Sequence, residues 1–483
     1  MRRLGKDIAI YGISNMVYSL VQFVVMPLVV KSMSMEEISY WNILLPTAIL
    51  LASITTFGMD SSVVRYLADT NSPTEHRSIF SAGFFTILLL ATVIGIFLYY
   101  FTPFAMDSLH LPRHQSDSYW LMIAWFIGLV INQYCLNWFK FTFKRSTFIT
   151  LMFLQSIVYL VIILLLKHFD ILSVSNVMLA LGVSQWLNVL ICIVLNRNMF
   201  TFNFRKQLLR ELMRYGLPSM MIVFGMNLLL NLDRYILTGQ ISKEDFAIYT
   251  QAFRICAIMS MFVSSFNFAF SPSSLSIIND DDAGAQFSKI HSYYLLIMTF
   301  FGLGFIACGK LAILLLSGAE YLPAFRYFPF IVFAFILYGL YTFAQIGIIK
   351  SKKIFFALYV VVAGIILTFV IDMVFVRSLG GFGCVIGLLV ALLSMLLLAN
   401  IISKRNLFIP YAYAKDLTIV SYFLGLATLF CYLDISKNIY WDSTFKCAIL
   451  FVSILPLISI LFKDDKTKAL AILWRKLKPA KPE

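Results

Sequence analysis

The sequence predicts an all-α integral membrane protein with about fourteen transmembrane helices. Three observations support this fold class. The chain has 483 residues, of which 60% are hydrophobic and only 13% are charged, whereas a soluble protein carries about 25% charged residues. Apolar runs of 18 to 27 residues recur along the whole length. The basic residues are concentrated in every second connection between these runs.

Fourteen apolar runs are long enough, or nearly so, to cross the ~30 Å hydrocarbon layer as helices. They cover residues 8–30, 38–58, 79–102, 119–139, 147–166, 177–196, 215–238, 246–270, 290–316, 324–349, 354–376, 382–402, 416–433 and 445–462. The first run follows three basic residues and has no small-residue cleavage site, so we interpret it as an uncleaved span. The seven scattered cysteines form no CxxC motif and indicate buried thiols rather than disulfides.

The distribution of Lys and Arg predicts the orientation of the chain. An even number of spans places both termini on one side, and 27 basic residues fall on that side against eight on the other. Because cytoplasmic loops carry the excess of Lys and Arg, we expect a multi-pass membrane protein with both termini cytoplasmic. The net charge of +14 therefore reports orientation and contact with anionic lipid, and no nucleic acid is expected as a partner.

Two short sequence matches indicate an internal repeat. Tyr11-Gly12 matches Tyr215-Gly216, and residues 33–39 match residues 241–247. We therefore predict two six-helix bundles related by a pseudo-twofold axis along the membrane normal, and repeats of this kind place a substrate site between them. The predicted divisions are an N-terminal bundle (1–196), a cytoplasmic amphipathic linker lying on lipid headgroups (197–214), a C-terminal bundle (215–403), two additional helices (404–462) and a basic cytoplasmic tail (463–483).

Seven ionisable side chains lie in the predicted spans or at their edges. They are Asp60, Arg65, Asp233, Arg234, Arg254, Lys310 and Asp372. Each costs ~2.5 kcal/mol or more at membrane depth, so each is expected to face a partner or a wet cavity. The planar fork of arginine binds phosphate through two hydrogen bonds, which favours an anionic substrate over an organic cation.

Simpler interpretations of these charges stay open. Asp233 and Arg234 would form a pair that anchors a helix at the membrane edge, and Lys310 would extend to the nearer interface. Asp372 would be a local cap, a partner to an arginine or a proton site. No motif indicates enzyme chemistry, a cofactor or a metal site: residues 304–311 approach a phosphate-binding loop but lack the Ser/Thr after the lysine. No loop exceeds about 25 residues, which leaves no room for a soluble catalytic domain.

The segments 57–66 and 232–239, taken with fourteen spans in a 6+6+2 layout, resemble polysaccharide flippases of the multidrug/oligosaccharidyl-lipid/polysaccharide (MOP) superfamily. The O-antigen flippases of the Wzx type are the best known of these. Residues 380–387 resemble the glycine-rich start of their twelfth helix, and the resemblance covers the whole chain. At Asp372 the chain departs from the family, in which many members carry an uncharged polar residue.

The resemblance implies a flippase of the bacterial cytoplasmic (inner) membrane, which moves an oligosaccharide linked to undecaprenyl pyrophosphate across it by alternating access. The cargo would be a repeat unit of O-antigen lipopolysaccharide, capsule or exopolysaccharide. Under this hypothesis the pyrophosphate is attracted by Arg234 and Arg254, with Arg65 and Lys310 as further candidates. Asp60, Asp233 or Asp372 would pair with these cations or take up the H⁺ or Na⁺ that drives the cycle.

The partners implied are membrane lipids and a glycan polymerase or chain-length protein. Two alternatives stay open. A multidrug or organic-cation antiporter of the same superfamily predicts cavities dominated by acids. A membrane glycan polymerase predicts a larger extracytoplasmic loop than this chain has.

Overall fold

The computed structural model describes residues 21–68, 72–142, 144–201, 206–278, 280–351, 354–433, 435–436 and 438–461. Within these ranges the chain forms helices and no strand. Thirteen helical segments are long and apolar enough to cross a membrane, which confirms the predicted fold class. The first predicted run, 8–30, is described only from residue 21 onward, as the helix Val21–Val30.

The helices of the first half are α1 (Val21–Val30), α2 (Met35–Thr55), α3 (Met59–Ala68), α4 (Pro73–Tyr100), α5 (Thr102–Ser108), α6 (Ser116–Phe141), α7 (Arg145–His168) and α8 (Val174–Leu195). Those of the second half are α9 (Lys206–Leu229), α10 (Leu232–Leu237), α11 (Lys243–Cys256), α12 (Ile258–Ile277), α13 (Ala283–Ala307), α14 (Gly309–Leu316), α15 (Phe328–Ala344), α16 (Ile346–Ser351), α17 (Ile354–Leu379), α18 (Gly381–Lys404), α19 (Tyr413–Tyr432) and α20 (Ile439–Leu461). Short 3₁₀ helices cover Arg113–Gln115, Arg197–Met199 and Ala319–Tyr327.

Helices α2 and α11, which contain the matching sequences, begin in the same way. Ser34 caps α2 by accepting a hydrogen bond from the backbone N–H of Glu37, and the Glu37 carboxylate accepts one from the Ser34 N–H. Ser242 caps α11 by accepting a hydrogen bond from the N–H of Asp245. Each cap satisfies a backbone donor that the helix itself leaves free. We call the end of the protein where α2 and α11 begin the upper end, and the opposite end the lower end.

The same two helices pack against each other along their length. The buried amide of Asn42 donates a 2.7 Å hydrogen bond to Thr250 Oγ1, and these residues are 208 positions apart. Ser34 and Ser242 are related by the same offset. Equivalent positions of two repeats meet where a twofold axis passes between them. The contact is therefore the one that a pseudo-twofold axis between α2 and α11 would produce.

Four apolar runs predicted as continuous helices are interrupted in the structure. They are the runs 215–238, 246–270, 290–316 and 324–349, which are broken near Asn231, Ala257, Cys308 and Gln345 respectively. Hydropathy measures only how apolar a segment is, so it does not detect a one- or two-residue break inside an apolar run. In membrane transporters such breaks occur where the backbone lines a substrate or ion site.

The linker predicted at 197–214 is not a separate surface helix within the described residues. From Lys206 the chain forms one helix, α9, that continues to Leu229 and is itself a candidate span. Leu212 is buried, and its carbonyl accepts a 2.7 Å hydrogen bond from Ser62 Oγ on α3. The apolar face expected on lipid headgroups is thus packed against protein, and span seven begins about two and a half turns earlier than predicted.

Helix α9 also joins the two halves at the lower end. Phe57 and Gly58, between α2 and α3, both have positive φ angles, of 47° and 65°. A side chain at Gly58 would overlap the carbonyl group of Gly216, so the two backbones touch at this crossing. Because α9 packs against α2, α3, α4 and α17, it contacts helices of both predicted bundles.

Candidate functional site

Arg254 lies near the break between α11 and α12 and faces helix α2. Its guanidinium carbon is 3.7 Å from the centre of the Trp41 ring, which is a favourable cation–π geometry. The two side chains line a cavity of about 760 Å³ between α1, α2 and the α11–α12 break. Gln22 and Ser260 contribute polar groups to the same cavity. Arg254 therefore projects into a space between helices of the two halves.

Arg234, on the short helix α10, lies close enough to Arg254 for the two charges to repel. Its guanidinium donates a hydrogen bond to Asn231 Oδ1 and lies 5.5 Å from the centre of the Phe253 ring. Arg234 Nε and Arg254 Nη1 are buried without a hydrogen-bond partner. Two neighbouring guanidinium groups with unsatisfied donors form an arrangement that a bound anion would stabilise.

The two carboxylates of the second half lie together. Asp233, on α10, is buried and accepts a hydrogen bond from the hydroxyl of Tyr249. Asp372, on α17, is fully buried and interacts electrostatically with Asp233. Gly387 on α18 makes room for it, since a side chain there would overlap Asp372 Oδ1. Among the described residues neither carboxylate forms an ion pair with Arg or Lys.

Asp60 and Arg65 lie on α3, at the lower end. Asp60 lines a cavity of about 650 Å³ between α2, α6 and α9 and lies near the side chain of Asn137. Arg65 is exposed, and its guanidinium carbon is 4.6 Å from the centre of the Tyr215 ring. Neither residue lines the cavity of Arg254.

Lys310, on α14, lines a third site, separate from the cavity of Arg254 and from the cavity of Asp60. It lines a groove at the upper end together with Arg326, and its ammonium is 5.5 Å from the centre of the Phe325 ring. Of the four cations predicted as substrate ligands, the structure brings Arg234 and Arg254 together and separates Arg65 and Lys310 from them.

Two residues that shape these sites were not predicted from the sequence. Trp41 stacks on Arg254, and Tyr249 donates to Asp233. They are 208 positions apart, so they occupy equivalent positions under the offset that relates Ser34 and Ser242. Applying that offset to the aromatic residues would have pointed to both of them.

Above these sites, polar contacts between α2 and the α10–α11 region close the upper end. Lys243 Nζ lies 2.5 Å from Glu36 Oε1 and 4.8 Å from the centre of the Tyr40 ring. Further down α2 than Trp41, the hydroxyl oxygens of Thr47 and Tyr235 are 3.1 Å apart, and this contact lies at the level of the sites rather than above them. With the α3–α9 crossing below, the two halves touch at both ends, and the arginine pair lies between these contacts.

Comparison with known proteins finds one matching family and several proteins of similar structure. A family model described as "polysaccharide biosynthesis protein" matches residues 4–277. A multidrug-resistance MATE family transporter of the MOP superfamily, in an inward-facing conformation, superposes with a TM-score of 0.68 at 13% identity, over 84% of this chain and 96% of the other. The lipid II flippase MurJ, in an inward closed conformation, superposes with a TM-score of 0.67 at 15% identity, over 93% and 99%.

A MOP superfamily transporter from Pyrococcus furiosus, described as having a binding pocket of reverse polarity, superposes with a TM-score of 0.56 at 17% identity, over 83% of this chain and 95% of the other. No curated protein sequence matches the chain. At these identities the structural likenesses show a shared fold.

Proposed function

Because the chain belongs to the family of polysaccharide biosynthesis proteins, we propose that it is a flippase for an oligosaccharide linked to undecaprenyl pyrophosphate. The cargo is a repeat unit of O-antigen, capsule or exopolysaccharide, and the protein moves it across the cytoplasmic membrane by alternating access. The observation that carries this proposal is the pair Arg234–Arg254, held between the two halves of a helical membrane protein.

The arginine pair suits a pyrophosphate better than a single phosphate. The pyrophosphate presents two adjacent anionic groups, and the site presents two guanidinium groups whose charges repel each other and whose buried Nε (Arg234) and Nη1 (Arg254) donors have no hydrogen-bond partner. Trp41 fixes the plane of Arg254 from the first half of the chain, while both arginines belong to the second half. An anion bound here therefore contacts both halves, which is what coupling binding to alternating access requires.

Asp233 and Asp372 are the residues that we assign to ion coupling. Two neighbouring buried carboxylates are not both ionised unless a cation neutralises them, so this site takes up H⁺ or Na⁺. Asp233 and Arg234 are consecutive residues of the six-residue helix α10. A cation that binds Asp233 and shifts α10 thereby also moves one of the two phosphate ligands. Asp60, in the separate lower cavity, has no such link to the arginines.

The remaining features of the proposal follow from the charge distribution. With both termini cytoplasmic, the upper end is extracytoplasmic and the basic lower end faces the leaflet in which the substrate is made. The halves correspond to bundles 1–196 and 215–403, and residues 404–462 add two helices. A glycan polymerase or chain-length protein that receives the translocated unit would meet the upper end.

Replacing Arg254 or Arg234 with alanine tests the assignment. In cells whose surface glycan depends on this protein, each variant should lose surface glycan and accumulate lipid-linked oligosaccharide in the inner leaflet at unchanged protein abundance. Arg377→Ala is the matched control, because Arg377 is an exposed arginine near the end of α17 and lines neither site. Normal surface glycan in both arginine variants would refute the assignment.

The second candidate function is export of an organic cation by antiport. The buried pair of carboxylates, Asp233 and Asp372, favours it, because acids buried in a helical bundle attract a cationic substrate as well as a coupling ion. Expression in drug-sensitive cells separates the two functions. A rise in drug resistance that Asp372→Asn abolishes and Arg254→Ala leaves intact would establish the antiporter.

A further inference from the structure

Two of the seven cysteines meet at the break between α13 and α14. Cys308 lies between these two helices and Cys447 lies on α20, and their Sγ atoms are 3.5 Å apart. Helix α20 packs against both α13 and α14. The contact therefore joins the predicted C-terminal bundle to one of the two additional helices, between residues that are 139 positions apart in the sequence.

The geometry of this pair suits a disulfide. An S–S bond is about 2.05 Å long, so each sulfur has to move by only about 0.7 Å from its present position. Cys308 ends α13 and precedes α14, so no continuous helix passes through it. Both cysteines are half-buried rather than enclosed. The two thiols can therefore be oxidised to a disulfide without a change of fold.

The pair lies nearer the upper end of the protein than the lower end. Helix α20 begins at the upper end with Ile439, and Cys447 follows about 12 Å further along it. Helix α13 begins at the lower end with Ala283, and Cys308 comes directly after its last residue. Under the orientation proposed above, the upper end is extracytoplasmic. That compartment is oxidising in bacteria, whereas the cytoplasm keeps thiols reduced.

A second pair of cysteines lies toward the opposite end. Cys135, on α6, lies near Cys192, on α8. Both helices begin at the upper end, and both cysteines belong to the last two turns, so this pair lies toward the lower end. Both side chains are buried. The proposed orientation thus places one pair toward each compartment, and the pair on the oxidising side is the more exposed one.

We propose that Cys308 and Cys447 form a disulfide in the cell, while Cys135 and Cys192 remain thiols. The oxidant is a disulfide-bonded thiol oxidoreductase of the extracytoplasmic compartment. As the Sγ–Sγ bond forms, the two thiols lose two protons and two electrons, and the disulfide of the oxidant breaks and takes them up to become a dithiol. The new bond fastens α20 to the α13–α14 break. The proposal rests on the orientation given above and not on the identity of the substrate.

Counting the free thiols of the full-length protein tests the proposal. Cells are quenched with acid, and the denatured protein is alkylated with N-ethylmaleimide and weighed by intact-mass spectrometry. The wild type should carry five adducts on its seven cysteines without reductant and seven after reduction. Cys308→Ser should carry six adducts in both cases, because Cys447 has lost its partner. In cells that lack extracytoplasmic thiol oxidoreductases, the wild type should carry seven adducts without reductant.

The matched control is Cys431→Ser, because Cys431 lies at the same end of the protein, on α19. This variant should carry four adducts before reduction and six after it. Seven adducts on the unreduced wild type would overturn the proposal, and so would five adducts in cells that lack the oxidoreductases. Four adducts on unreduced Cys308→Ser would also overturn it, because the bond would then join other cysteines. These counts do not depend on the cargo, so a wrong flippase assignment would leave them unchanged.

Discussion

The ion pair Glu36–Lys243 should hold the upper end closed, and Lys243→Ala should release it. The pair joins α2 to α11, and Lys243 Nζ also donates to the Tyr40 hydroxyl at 2.5 Å. Because the two side chains are 54% and 50% exposed, the ion pair itself is worth only ~0.2–1 kcal/mol. The contact with the Tyr40 ring adds ~0.5–1 kcal/mol, so the expected total is about 1–2 kcal/mol.

A loss of this size should raise the population ratio of open to closed upper ends by roughly five- to thirty-fold. Spin labels at Ser108→Cys and Gln240→Cys report it, since both positions are exposed at the upper end and belong to different halves. The labels require a background in which the seven native cysteines are replaced. Electron–electron resonance should then show a second, longer distance in the Lys243→Ala protein, while Lys167→Ala should match the unmodified background.

The charge-exchanged protein, Glu36→Lys with Lys243→Glu, separates the ion pair from general effects of substitution. It restores the attraction with reversed signs and should return the distance distribution toward that of the parent. If Lys243→Ala leaves the distribution unchanged, the contact does not hold the upper end closed, and the reasoning from the Glu36 and Tyr40 contacts is refuted.

Two further substitutions follow from the buried carboxylates. Asp372→Asn should abolish the dependence of transport on the H⁺ or Na⁺ gradient while protein abundance stays normal. The control is Asp416→Asn, which should keep the gradient dependence. Asp416 accepts a hydrogen bond from Ser292 at 3.0 Å and lies 3.4 Å from His291 Nδ1. Gly387→Ala should destabilise the protein by ~1–3 kcal/mol because the new methyl group overlaps Asp372. The control is Gly425→Ala, because no atom lies within 4 Å of the added carbon. This change should leave the melting temperature unchanged or raise it slightly. Equal melting temperatures for both glycine variants would contradict the packing argument.

The sequence predicted the spans well because hydropathy is a local property. Thirteen of the predicted runs correspond to spanning segments in the described part of the chain, and the repeat signal at Ser34 and Ser242 corresponds to matching helix caps. The breaks at Asn231 and Ala257 were not predicted, because tertiary packing rather than apolarity determines where a helix is interrupted. The continuation of the helix from Lys206 into α9 was not predicted, because an amphipathic pattern does not show whether lipid or α3 covers its apolar face.

The arrangement of the charged residues could be predicted only in part. The arginines were expected to share a site; Arg234 lies close enough to Arg254 for the two charges to repel, and their joint role in binding stays a prediction. Asp233 was considered as a partner for Arg234, yet consecutive residues of a helix point about 100° apart. Asp233 is attracted electrostatically by Arg234 and accepts a hydrogen bond from Tyr249. It also interacts electrostatically with Asp372, which is 139 positions away in the sequence. Such long-range contacts leave no local pattern in one sequence.

The hydrogen bond between Asn42 and Thr250 lies where two equivalent positions of the repeat meet. When two rigid lobes rock in opposite senses, points on the line between them move least, and displacement grows with distance from it. This buried contact therefore lies where a pivot between the two halves would be. It can persist when Glu36 and Lys243 separate above it. It can also persist when the crossing of Gly58 and Gly216 separates below it. The distance from this pivot to each end of the protein, rather than the strength of the contacts at either end alone, then determines how far that end opens.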